Sequence, residues 1–140
     1  MRSCDGCTAC CTGALEVKVF DQLVGKNNPC SYMCDTGCSI NDDPKRPKAC
    51  AQYQCFWTLN SDVPDWMKPS LSGVILDEEN GTFRASCTKE VSGYVFLYLL
   101  HLAKEFDTSL TIWHINNPHI ERNLGAIIAM KELKVFGERP

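Results

Sequence analysis

The chain has 140 residues, 44% of them hydrophobic and 22% charged, with a formal net charge of −3. That length suits one compact domain, which buries about 70% of its unfolded surface without covalent staples, and the balance of residue types excludes a disordered chain. The charge is spread evenly, so there is no basic patch to attract nucleic acid, and no apolar run reaches the roughly 18 residues that a membrane span requires.

The anomaly is ten cysteines. The opening Met1-Arg2-Ser3-Cys4-Asp5-Gly6-Cys7 has no apolar stretch of the signal-peptide kind, so a cytoplasmic chain is expected. In a reducing compartment, clustered thiols point to metal ligation or redox chemistry rather than to disulfides.

Composition divides the chain near Trp57 into a cysteine-rich lobe (1–57) and an α/β core portion (58–140) of a single domain. Leu15, Val17 and Val19 alternate with Glu16 and Lys18, the period of a half-buried strand. A loop follows at Gly25 to Pro29. Residues 28–55 are rich in Asn, Asp, Pro, Gly and Cys without sustained periodicity, as befits loops wrapped around a metal. Gly73 to Asp77 and Thr82 to Cys87 read as strands of a hairpin turned at Asn80-Gly81.

Val91, Tyr94, Val95, Tyr98, Leu99 and Leu102 recur at helical spacing, which predicts a helix over 89–106 packed on a sheet. Leu110 to His114 reads as a short strand. Asn117-Pro118 offers an N-cap with proline at the first helical position, and Ile120, Leu124, Ile127 and Ile128 share one face, which predicts a second helix from Pro118 to Glu132. The expected fold is α+β, a loop-rich cysteine lobe joined to a β-hairpin and about two helices on a small sheet.

The cysteines fall into three groups: Cys4, Cys7, Cys10 and Cys11; then Cys30, Cys34 and Cys38; then Cys50 and Cys55. Two-residue spacing in the first group lets two thiolates converge on one ion or on adjacent irons of a cluster. Neighbours such as Cys10 and Cys11 point apart in an extended chain, so they are not expected to serve the same ion. Cys34 and the remote Cys87 read as structural thiols.

At these residues the sequence resembles the cysteine-cluster family named for its CxxCxxCC motif, a YkgJ-like zinc- or iron-chelating domain. The resemblance covers residues 4–57 and rests on Cys4, Cys7, Cys10 and Cys11, on Cys30 after Pro29, on Gly37-Cys38-Ser39-Ile40, on Arg46-Pro47 with Cys50, and on Tyr53 with Cys55. It implies eight metal ligands: Cys4, Cys7, Cys10, Cys11, Cys30, Cys38, Cys50 and Cys55. The chain departs from the family pattern at Asn41, where a Tyr is usual, and in about two extra residues between Cys38 and Arg46.

Eight cysteines serve two four-coordinate zinc sites, or one four-iron cluster with four thiols left over. The opening Cys-x-x-Cys-x-x-Cys is like the start of a bacterial ferredoxin run but lacks the nearby Cys-Pro that completes it. The later spacings are looser than zinc knuckles usually are, so an iron–sulfur cluster of the 4Fe–4S type is expected, with zinc the alternative. Arg46 is a candidate donor of hydrogen bonds to cluster sulfur or a thiolate.

Outside the array, three histidines and no phosphate loop, nucleophile elbow or HExxH helix leave little for catalysis. The expected protein is a non-catalytic metalloprotein with a redox or electron-transfer role. Its alternatives are a structural zinc protein or interaction module, and an iron–sulfur enzyme or enzyme accessory. A protein partner is compatible with any of these.

Overall fold

The computed structural model describes residues 2–25, 28–115 and 117–123. Its frame is the sheet in the second half, built outward from the hairpin of β5 (Val74–Glu79) and β6 (Thr82–Cys87). Asn80 and Gly81 both take positive φ, 52° and 74°, the left-handed pair that a two-residue hairpin turn requires. The register runs from Val74 opposite Cys87 to Glu79 opposite Thr82. Val74, Ile75 and Leu76 are consecutive buried residues, so both faces of the hairpin are covered at that end.

From β6 the chain crosses over through a helix, Gly93–Glu105, and returns as a strand, Leu110–His114, parallel to β6. Ser92 caps the helix: its Oγ accepts the Val95 N–H at 3.3 Å. Val95, Leu99, Leu100, Leu102 and Ala103 are buried. Phe83, from the middle of the sheet, meets Phe56 edge-on at 5.1 Å and Phe106 at 5.4 Å.

The last described segment corrects the sequence reading. Where a helix was expected from Pro118, residues Asn117–Asn123 form a strand antiparallel to Leu110–His114. The sheet order is therefore hairpin, parallel strand and a final antiparallel edge. Leu110–His114 would otherwise present an open edge of backbone donors and acceptors, and pairing that edge outweighs the local helical pattern. Proline is tolerated there because the strand is outermost. The rest of the expected helix, 124–132, lies outside the described residues. The fold is α+β, as expected.

In the first half, the predicted strand shortens to β1 (Val17–Val19) and gains an antiparallel partner, β2 (Gln22–Val24). A second ribbon pairs β3 (Met33–Cys34) with β4 (Gly37–Cys38). Short helices α1 (Lys48–Gln52), α2 (Phe56–Leu59) and α3 (Pro69–Ser72) lead into β5. Ala9, Ala14, Cys55, Phe56 and Trp57 belong to the same buried cluster as the sheet and long helix. Val19, Val24 and Cys30 form a separate small cluster.

Gly13 sits where these two clusters part. It ends a 3-10 turn, Ala9–Thr12, at φ 95°, and a Cβ there would stand 2.1 Å from the Gly25 carbonyl oxygen. Both the left-handed backbone and the close approach demand glycine. Gly13→Ala is expected to lower stability by at least ~1 kcal/mol. Denaturant unfolding measures this, and an unchanged midpoint would disprove the close approach.

Candidate metal centre

The 3-10 turn Ala9–Thr12 sets the arrangement of the thiols. It carries Cys10 and Cys11 on successive positions, and each enters a different surrounding. Cys10, with Cys7 and the buried Cys55, belongs to the main core; Cys11, with the buried Cys30 and Cys50, belongs to the small cluster.

Electrostatics draws the same division. Burial pushes the Cys10 thiol far above its ordinary range, and the neighbouring thiols of Cys55, Cys7, Cys11 and Cys4 push it further. Burial raises Cys11 to about 12, followed by the influence of Cys38, Cys30 and Cys50. Apart from the contact between chain neighbours, Cys10 feels Cys4, Cys7 and Cys55, while Cys11 feels Cys30, Cys38 and Cys50. Eight cysteines from three sequence groups thus form two quartets.

Each quartet is assembled by backbone turns. In the first, the Cys7 N–H donates to the Cys4 carbonyl at 2.9 Å. Cys55 opens α2, and its sulfur lies 3.3 Å from the Thr58 hydroxyl, which in turn lies 3.9 Å from the Cys4 sulfur. In the second, the Cys30 N–H donates to the Cys11 carbonyl at 2.8 Å, and the Met33 N–H to the Cys30 carbonyl at 3.1 Å. Cys38 comes from the β3–β4 ribbon and Cys50 from α1. The loops of the two quartets touch at glycines: a Cβ on Gly37, at φ 131°, would stand 3.4 Å from Gly6.

The N-terminal segment is fastened by Arg2, a residue that no motif singles out. Its guanidinium donates to the carbonyls of Trp57 (2.8 Å), Asn60 (2.7 Å) and Val63, pairs with Asp65 at 3.2 Å, and lies 4.5 Å over the Trp57 ring. Lys68 adds a bond from Nζ to the Asp5 carbonyl at 3.1 Å. Only a fold that brings residues 57–68 beside residue 2 gives an isolated arginine this role.

All eight cysteines line one cavity of about 530 Å³, together with Arg46, Tyr53, Trp57 and Thr58. All ten thiols are free. Among the described residues, no three Cys, His, Asp or Glu side chains converge closely enough to hold a single metal ion. The quartets are gathered but open.

Cys34 and Cys87 do not line the cavity. Cys34 is exposed on β3, where hydrogen bonding by Thr36 holds its thiol below the ordinary value. Cys87 is buried in β6, and burial alone pushes it to about 11. His101 pairs with Glu105 at 3.4 Å on the exposed side of the long helix, away from the thiols.

Arg46 is fixed from both ends of its fork. Nη1 donates to the Asn41 carbonyl at 3.3 Å and side-chain oxygen at 3.0 Å, and Nη2 to the Cys50 carbonyl at 2.9 Å. Burial raises the Cys50 thiol, and the Arg46 charge opposes that rise.

No family model, no curated protein and no solved structure matches the chain. The functional reading therefore rests on these residues and their chemistry.

Tyr53, on the cavity wall, donates its hydroxyl to Asp77 on β5 at 2.5 Å and so ties the lobe to the sheet. Burial raises the Asp77 carboxyl, partly opposed by the Tyr53 bond and by Arg84. A carboxyl raised in the folded state favours folding while it is protonated. That contribution is lost as pH climbs from the unfolded value, about 3.9, through the folded one. Asp77→Asn is expected to flatten this decline just above pH ~4. Unfolding free energies measured across that window test it, and identical pH slopes in variant and wild type would rule out Asp77 as the group responsible.

Proposed function

We propose that the chain is a metal-binding protein in which each cysteine quartet holds an iron–sulfur centre, four-iron clusters being favoured. It acts as a one-electron carrier between external donor and acceptor proteins rather than as an enzyme. The observation that carries this reading is the division of eight cavity-lining thiols into two sets of four. Four thiolates are the complement of one 4Fe–4S cluster or of one structural zinc.

One feature favours clusters over zinc. A tetrahedral zinc needs four sulfurs at about 2.3 Å, hence about 3.8 Å from one another, whereas no three of these groups converge on a single ion. A cluster spreads its ligands over separate irons and suits an open nest.

The zinc reading keeps one argument of its own: four plus four is also the count for two structural zincs. In either case the raised thiols of Cys10 and Cys11 must lose protons on loading, so affinity rises with pH. A reducing, cytoplasmic setting would keep the thiols available.

Anaerobic purification followed by iron, sulfide and zinc analysis is the test. The expected sample is brown, with about eight irons and as many sulfides per chain. A colourless protein with two zincs would replace the cluster reading with the structural one, and a chain that takes up neither metal would overturn both.

Cys34→Ser and Cys87→Ser are each expected to keep full metal content. Cys87→Ser should also lose about 1–3 kcal/mol of stability, because it buries a hydroxyl in the core. Metal lost from either variant would place that thiol among the ligands.

A further inference from the structure

Arg46 has one donor with nothing to donate to. Its two terminal nitrogens are held by Asn41 and by the Cys50 carbonyl, but Nε is buried and has no hydrogen-bond partner. Buried donors are almost always satisfied, and an orphan in a cavity wall signals an acceptor that the protein itself does not supply. The guanidinium is a planar fork in which Nε–H and Nη2 share an edge. Because Nη2 is fastened to Cys50, the orphan donor faces the side of the second quartet.

The cations near the first quartet are engaged elsewhere. Arg2 is committed to the Trp57, Asn60 and Val63 carbonyls and to Asp65, and the Lys68 ammonium to the Asp5 carbonyl. On that side the charge is on Lys68 and the unpartnered buried donor is the neutral Trp57 Nε1, whereas on the side of the second quartet a single guanidinium combines both.

Resting on the two-centre reading above, we infer that Arg46 Nε–H donates to an anionic sulfur, sulfide or thiolate, of the centre held by Cys11, Cys30, Cys38 and Cys50, and that this makes the two centres unequal. A hydrogen bond and a positive charge at sulfur favour the more negative, reduced form of a cluster. The Arg46 centre is therefore the readier electron acceptor for the presence of this residue. Arg46 tunes the centre and is not itself a reacting group.

The test is a redox titration, followed by absorbance and electron paramagnetic resonance, of the anaerobic wild type, Arg46→Ala, Arg46→Lys and Asp43→Ala. In Arg46→Ala one couple is expected to fall so that its reduced-to-oxidised ratio at fixed potential drops at least tenfold, about 59 mV for one electron. The other couple stays in place. Arg46→Lys keeps the charge and restores part of the shift. Asp43→Ala removes the bond that Asp43 Oδ1 accepts from the Lys45 N–H at 2.8 Å and so loosens the loop without touching the Arg46 side chain; it leaves both potentials unchanged, which separates tuning from simple support.

Unchanged couples in both Arg46 variants, or equal shifts of the two, would overturn the inference. If Arg46→Ala does not fold, Arg46→Lys against Asp43→Ala decides alone, with a selective fall expected only in the former. If the purified chain holds zinc, the cluster reading fails, and the same variants judge Arg46 by chelator-driven release. One of the two zincs should then leave at least tenfold faster in Arg46→Ala, and equal acceleration of both would refute the assignment.

Discussion

Successive side chains on a 3-10 turn leave the backbone about a third of a turn apart, and the arrangement of the first half follows from that constraint. Cys10 and Cys11 stand on a single 3-10 turn, yet one belongs to the main core and the other to the small cluster around Val19, Val24 and Cys30. Everything that must reach Cys10 comes from the N-terminal knuckle and the start of α2. Everything that must reach Cys11 comes from β4, α1 and the turn at Cys30. Gly13, immediately after the turn, then reverses the chain against Gly25 at a distance no side chain permits.

The two quartets are supported unequally. The first leans on the sheet: Phe56 follows Cys55 directly and meets Phe83, Trp57 is covered by Arg2, and Tyr53 reaches Asp77. The second has only Val19, Val24 and Cys30 fully buried beneath it. Three side chains bury too little apolar surface to offset the ordering of the loops between Cys11 and Cys50. Bound metal would supply what is missing there, because ligand binding to the folded state alone adds directly to its stability. The backbone bonds from Cys30 to Cys11 and from Met33 to Cys30 orient the chain, but they do not make a core.

Much of the second half was legible because its signals are local. Asn80-Gly81 needs only its own two residues to specify a hairpin, and the long helix is written in the spacing of Val95, Leu99 and Leu102. The final strand was misread for the converse reason: its conformation is decided by Leu110–His114, a partner whose pairing no local pattern in residues 117–123 announces. The ribbons β1–β2 and β3–β4 were blurred or missed because three- and two-residue strands carry almost no periodicity. Of the candidate site, the three cysteine groups were readable from their spacing, but that spacing kept Cys34 in the second group; only the resemblance set it aside, and neither Cys34 nor Cys87 lines the cavity. Their division into quartets was not readable, since it depends on loop paths that bring Cys55 back to Cys4 and Cys50 to Cys11. Arg2 and Thr58 were invisible for the same reason.

The unequal support has a consequence for charge as well as for folding. Each quartet has one buried thiol, Cys55 in the first and Cys30 in the second, but the first also includes the exposed Cys4, whereas the second has Arg46 fastened to the Cys50 carbonyl. Water at an exposed sulfur screens added negative charge from every direction. A guanidinium held at three acceptors does so from one direction only, but at no cost of reorganisation when the charge arrives. The Asn41 side chain is one of the acceptors that hold Arg46 in this pose. Asn41 therefore lies in the contact that positions the guanidinium, and what it holds in place bears on a feature that sets the second quartet apart from the first.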